Sequence, residues 1–174
     1  MPQATNTYHR KTNIDSSNFK DYTGAMIPRP RVLGAVLQGL RENPVVALLG
    51  PRQSGKTTLA RQLTRRRDAV LFDLEDSSDL ARLDNPKLAL EDLKGLVVID
   101  EAQRQPALFP LLRVLADRRP NRARFLLLGS ASPGLVRGVS ETLAGRIRLV
   151  EMGGLDLAEA GATGERTLKR TLGG

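Results

Sequence analysis

Apolar residues along this chain fall into two alternating patterns, one at helical spacing and one continuous over about five positions. Val32, Leu33, Val36, Leu37 and Leu40 recur at helical steps within 31–40, and Asn43-Pro44 stops that helix. Val45 to Leu49 then runs apolar without interruption, as a buried strand does. Leu59 and Leu63 mark one face of the next helix, which ends in Arg65, Arg66 and Arg67, where cations suit the carbonyl end. Ala69 to Leu74 reads as a second strand and Asp76 to Leu83 as a short helix. Asn85 as cap and Pro86 at the first helical position start another helix running to Leu93, ended by Lys94-Gly95. Leu96 to Asp100 lacks alternation, which suits a parallel strand covered on both faces. A helix over Pro106 to Arg118, a strand over Arg124 to Leu128, a capped turn at Ser132-Pro133 and a strand over Ile147 to Met152 complete the series. Strands alternating with helices predict an α/β sandwich with a mainly parallel, five-stranded sheet. There is no internal repeat.

Residues 1–25 are polar and without periodicity, so they are expected to be a disordered tail. Met26 opens a segment that reads as a domain entrance and as an alternative start. The core is expected over 26–160, with 161–174 as a short polar tail. The absence of Cys excludes disulfides, thiol nucleophiles and Cys-based metal sites, and it suits a reducing cytoplasm. The single histidine, His9, cannot build a site alone. No apolar run approaches the roughly 18 residues of a membrane span, and the first thirty residues lack the apolar core of a signal peptide. A soluble, cytoplasmic protein with no membrane partner is the expectation.

The candidate chemistry begins at Gly50-Pro51-Arg52-Gln53-Ser54-Gly55-Lys56-Thr57-Thr58, which satisfies the phosphate-loop pattern and falls after a strand and at a helix start. Glycines let the backbone curl so that successive N–H groups point inward, and the helix start adds roughly half a positive charge. Lys56 is then placed to reach the β and γ phosphates of a nucleotide, and Thr57 offers a hydroxyl to Mg²⁺. An ordinary glycine turn is the alternative. Asp100 ends an apolar strand and Glu101 follows it. Alone, this would be a buried strand with a solvated acidic turn. After a phosphate loop with one strand between, Asp100 reads as the acid that orients Mg²⁺ and Glu101 as the base for attacking water.

GPRQSGKTTLARQL, LEDSSDLARL, LVVIDEAQR, FPLLRVLADRR, FLLLGSAS and ETLAGRI, taken in order, resemble the prokaryotic AAA-type P-loop ATPase domain of the AAA_14 type, over about residues 26–160. That domain is normally followed by a C-terminal domain of unknown function, DUF4143. The resemblance implies a three-layer P-loop NTPase sandwich with sheet order 5-1-4-3-2, ATP with Mg²⁺, and hydrolysis. It places Ser130 at the polar sensor position, from which its hydroxyl can bond attacking water or γ phosphate. Gly129 to Pro133 also reads as an ordinary turn and helix cap. Gln103 and Arg104 resemble the family's wording, but no role follows from it. The family continues where GATGERTLKRTLGG ends this sequence, and an AAA-type lid is not evident, so weak turnover is expected.

Charge enters the picture through its distribution. The net charge is +8, and residues 96–152 hold nine basic and five acidic side chains, a surplus of four. In a parallel sheet the strand ends share the nucleotide edge, so Arg65–Arg67 and Arg118, Arg119, Arg122 and Arg124 should lie at the opposite edge. They either form a basic patch for nucleic acid or an acidic partner, or cap helix ends in solvent; no aromatic residues accompany them for base stacking. Arg146 precedes the fifth strand and should be too far from its own γ phosphate. Its position resembles the arginine finger of AAA-type ATPases, acting in trans within a homo-oligomer; as a surface arginine it would have no role.

Three functions are compatible with these features: an ATPase driving a conformational change, a non-hydrolysing nucleotide-binding module, and a small-molecule kinase. The Asp100-Glu101 pair argues against the kinase, because a water-activating acid there would favour wasteful hydrolysis.

Overall fold

The computed structural model describes residues 29–65, 68–119 and 123–154. The expectations for 1–25 and 161–174, and for Arg66, Arg67 and Arg122, lie outside those residues. Within them the order is α1 (Pro30–Glu42), β1 (Val45–Leu49), α2 (Lys56–Thr64), β2 (Ala69–Asp73), α3 (Ser77–Arg82), α4 (Pro86–Leu90), β3 (Gly95–Asp100), α5 (Leu108–Asp117), β4 (Ala123–Gly129), α6 (Pro133–Thr142) and β5 (Ile147–Glu151). A single 3-10 turn, Ala102–Arg104, joins β3 to α5.

The strands form one sheet in the order β2-β3-β4-β1-β5, and every pairing is parallel. This is the 5-1-4-3-2 arrangement, written from the other edge. Helices cover both faces. On one, Val36 and Leu40 of α1 and Leu59, Ala60 and Leu63 of α2 pack on Val46, Leu48, Val98, Leu126 and Leu128. On the other, Leu108, Leu112 and Leu115 of α5 and Leu135 and Val139 of α6 pack on Val45, Ala47, Val97, Phe125 and Leu127. The architecture is three layers, helices on each side of the sheet.

The uninterrupted apolar runs are explained by this double cover. All five residues of β1 are buried, and so is all of β3 after Gly95, including Asp100. Each Val, Leu or Ile side chain so buried is worth about 1.5–3 kcal/mol, which anchors the central strands in the core. Their ends are where the loop, Asp100 and Ser130 sit. The edge strands β2 and β5 are only partly covered.

Local signals set most boundaries. Asp76 accepts from the Ser78 N–H, Asn85 from that of Leu88, and Ser132 from that of Leu135, so each caps its helix as its residue type suggests. Two helices are shorter than their periodicity predicts. α4 stops at Leu90 because the chain tightens there, with the Leu93 N–H donating to Leu90 O before Gly95 turns at φ 74°. α5 begins at Leu108 because residues 105–107 are spent in turns closed by Leu108 N–H to Gln105 O and Phe109 N–H to Pro106 O. No helix among the described residues is long and apolar enough to cross a membrane.

Candidate nucleotide site

The end of β1 and the start of α2 are joined by residues 50–55. Gly50 is buried beneath the end of β5, where a Cβ would lie 2.2 Å from Met152 O, so only glycine lets the loop leave the sheet at this level. Gln53 and Gly55 both adopt positive φ, 61° and 93°, which curls the loop over the helix start. Lys56 is the first residue of α2 and only 6% exposed. Its ammonium donates to Gly50 O at 3.0 Å and Pro51 O at 2.7 Å. A buried cation that is satisfied by two neutral carbonyls has a stronger partner in a phosphate oxygen. Ser54 Oγ is buried in the same loop without a hydrogen-bond partner.

β3 is one strand removed from β1, with β4 between them, and delivers Asp100 to the loop. Asp100 is 4% exposed. It accepts from Thr57 Oγ1 at 2.6 Å and from the Glu101 N–H at 2.9 Å. A hydroxyl and a buried carboxylate side by side are a hard-oxygen donor pair suited to Mg²⁺, which takes one or two protein oxygens and completes its shell with water and phosphate. No group of three or more acidic, His or Cys side chains that could hold a metal alone occurs among the described residues.

Burial pushes the Asp100 carboxyl above its ordinary value of 3.8, against the lowering effect of the Thr57 and Glu101 hydrogen bonds, and nearby Asp73 and Glu101 add to the rise. A carboxyl whose folded pKa exceeds its unfolded one contributes stability below the unfolded value and loses it as pH rises through the folded value. Ionisation of Asp100 as pH rises therefore weakens the ligand-free fold. Asp100→Asn is expected to raise the melting temperature of the ligand-free protein at pH 7 by a few degrees, about 1 kcal/mol corresponding to roughly 2–4 °C in a chain of this size. The gain should vanish as pH falls below about 4. Mg²⁺-dependent nucleotide affinity should fall in the same variant, and thermal melts with and without Mg-ATP measure both effects.

Beside the loop lies a cleft of about 430 Å³, lined among others by Arg29, Ser54, Thr58, Gln62 and Met152. Arg29 closes its far end by donating to Gly153 O and Gly154 O at 3.0 and 3.2 Å, tying the start of α1 to the chain leaving β5. Arg52 reaches Glu75 at 2.9 Å across the loop mouth. Neither Arg29 nor Met152 carries a signal in the sequence, since Arg29 bonds Gly153 and Gly154, and Met152 meets Gly50, across more than a hundred residues of chain. Ser130 is half-buried just beyond β4, whose last residue, Gly129, pairs with Leu49 and accepts from the Gly50 N–H. The structure thus brings Gly50–Thr58, Asp100, Glu101 and Ser130 to one edge of the sheet.

Arg146 lies at the other edge, immediately before β5. Its guanidinium is held in two-point contact by Asp117, Nε to Oδ1 at 2.6 Å and Nη2 to Oδ2 at 2.8 Å, and also donates to Ala144 O. This pairing holds the Asp117 carboxyl below its ordinary range. Arg118 is likewise engaged, with the Glu91 backbone carbonyl at 3.0 Å and its carboxylate at 3.6 Å. Acids therefore interleave the arginines on this edge, which dilutes a single-sign surface.

A family model described as an AAA domain matches residues 42–161. Two uncharacterized mycobacterial proteins, Mb2031c of Mycobacterium bovis and Rv2008c of Mycobacterium tuberculosis, are each 51% identical over 138 residues. The match takes in 79% of this chain and 31% of each relative, so the chain spans less than a third of their length. Among solved structures, the Walker-type ATPase PABY2304 of Pyrococcus abyssi superposes with a TM-score of 0.62 at 17% identity, over 84% of this chain and 59% of that one. Similarity at that identity speaks for the fold. A match of such extent to the family model, on a P-loop sheet of the same strand order, makes this chain a member of the AAA_14 family of AAA domains.

Proposed function

We propose that this domain binds ATP with Mg²⁺ and hydrolyses its β–γ phosphoanhydride, using the reaction to drive a conformational change. The observation that carries the proposal is the 2.6 Å contact between Thr57 Oγ1 and Asp100 Oδ2 next to a buried Lys56, because it joins the phosphate loop and the strand-end acid into one oxygen-lined site.

Loop N–H groups and Lys56 hold the phosphates, and the cleft between Arg29 and Met152 takes the nucleoside end. Thr57 and Asp100 would hold Mg²⁺, which when bound supplies charge neutralisation at the β and γ phosphates. Glu101 accepts a proton from water as the water oxygen attacks the γ phosphorus. The bond from that phosphorus to the bridging oxygen breaks, and ADP leaves with the electron pair. The Ser130 hydroxyl is assigned to bond the attacking water or the γ phosphate.

Titrating the purified chain with Mg-ATP and following phosphate release in parallel tests this reading. Binding with release supports it. Binding without release identifies a non-hydrolysing nucleotide module, and no binding overturns both.

Arg146 is proposed to act on a neighbouring copy's γ phosphate, giving up Asp117 to do so. An arginine supplied in trans is worth about 10³–10⁵ in rate. Activity per molecule should then climb with protein concentration; strict proportionality in a protein shown by sedimentation to be monomeric would remove this role. The partner-facing part of the function is proposed to lie in the portion of the relatives that this chain does not span.

A further inference from the structure

We infer that Gln103 is the positioning residue of Glu101: its carboxamide holds the Glu101 carboxylate at one end and is wedged against the terminus of β4 at the other. The inference rests on the hydrolytic reading above and deepens it.

Glu101 is poorly fixed by its own surroundings. It sits in the left-handed region at φ 52°, ψ 42°, at the entry to the 3-10 turn, and is only half-buried. A glutamate has three side-chain torsions, and a base must keep its oxygen within hydrogen-bond reach of the proton that it takes. The turn supplies the missing restraint. Ala102 is fully buried and pins it, and the chain folds back so that Gln103 Nε2 donates to Glu101 Oε2.

The other end of the carboxamide is the unusual part. Gln103 Oε1 is buried without a hydrogen-bond partner. It lies so close to Gly129 that a Cβ there would stand 2.6 Å from it, and 2.6 Å from Leu135 Cδ2. A buried, unpaired carbonyl is destabilising, and an apolar side chain of the same length would fill that space without penalty. Packing therefore does not account for a carboxamide here; the bond to Glu101 does. Because Gly129 directly precedes Ser130, Gln103 also ties the proposed base to the strand that presents the proposed sensor. The sequence shows Gln103 only as a polar residue after an acidic pair.

Gln103→Met keeps the length and removes both the donor and the orphaned acceptor. The full chain would be measured for Mg-ATP affinity, phosphate release and melting temperature. The melting temperature is expected to hold or rise, and the Kd for Mg-ATP to stay within about twofold, while kcat falls about 10- to 100-fold, since a misplacement of about 1 Å can cost that much. In a Glu101→Gln background the same substitution should remove nothing further, because the two residues act as a unit. Gln103→Leu, one atom shorter, is the second variant and carries the same expectation.

Unchanged or increased kcat would overturn the assignment. So would a kcat loss matched by losses of stability and ATP affinity, or failure of both variants to fold, since each indicates a structural role. Absence of phosphate release from the wild type would overturn the hydrolytic reading together with this one, whereas wild-type release that survives in Gln103→Met removes Gln103 alone.

Discussion

Glu101→Gln is expected to bind Mg-ATP about as tightly as the wild type and to lose phosphate release by about 10²–10⁴-fold, the usual contribution of a positioned base. The substitution is close to isosteric, so the turn that Ala102 anchors should persist. What disappears is proton acceptance. Glu101 contributes its backbone, not its side chain, to the Asp100 network: its N–H donates to Asp100 Oδ1 at 2.9 Å and remains in the variant. Asp100 and Thr57 therefore keep their arrangement, and binding should not suffer. Single-turnover phosphate release beside an equilibrium binding titration checks the split. Equal loss of both would show that residue 101 shapes the site rather than takes the proton.

Lys56→Ala is expected to weaken nucleotide binding by about 10²-fold or more, on the basis of about 1.5–3 kcal/mol for each hydrogen bond to a charged group. Two carbonyls, Gly50 O and Pro51 O, now satisfy the ammonium. Its removal leaves them facing the space proposed for phosphate, so the site loses a cation and gains two exposed acceptors that repel an anion. The effect on the fold should be smaller than the effect on binding, because the loop is also held by Gly50 N–H to Gly129 O and by the close contact with Met152. Isothermal titration with Mg-ATP, paired with a melting curve in the absence of nucleotide, separates the two. Wild-type affinity in Lys56→Ala would move the phosphate site away from this loop.

The elements were legible from periodicity because parallel strands buried on both faces leave no polar positions to interrupt them. Val45–Leu49 and Leu96–Asp100 are nearly pure apolar runs for that reason. Helix starts were legible where a capping side chain was present, as at Asn85 and Ser132. The order of strands did not follow from periodicity, which says nothing about which strand pairs with which; it came from the resemblance of motif order to a known family. Boundaries without such a cap were read less well, since α4 at its end and α5 at its start give up residues to tight turns whose hydrogen bonds leave no mark on the apolar spacing.

The candidate phosphate loop, the strand-end acid and the residue after it were legible in the sequence alone, because the chemistry proposed for them depends on residue types at fixed spacing along one backbone. Tertiary structure decided what each side chain meets. It joined Thr57 to Asp100 across 43 positions of chain, closed the cleft with Arg29 and Met152, fastened Arg146 to Asp117, and set Gln103 between Glu101 and Gly129. Those pairings depend on how close two separately folded elements come once the sheet has assembled, and linear spacing carries no record of that distance.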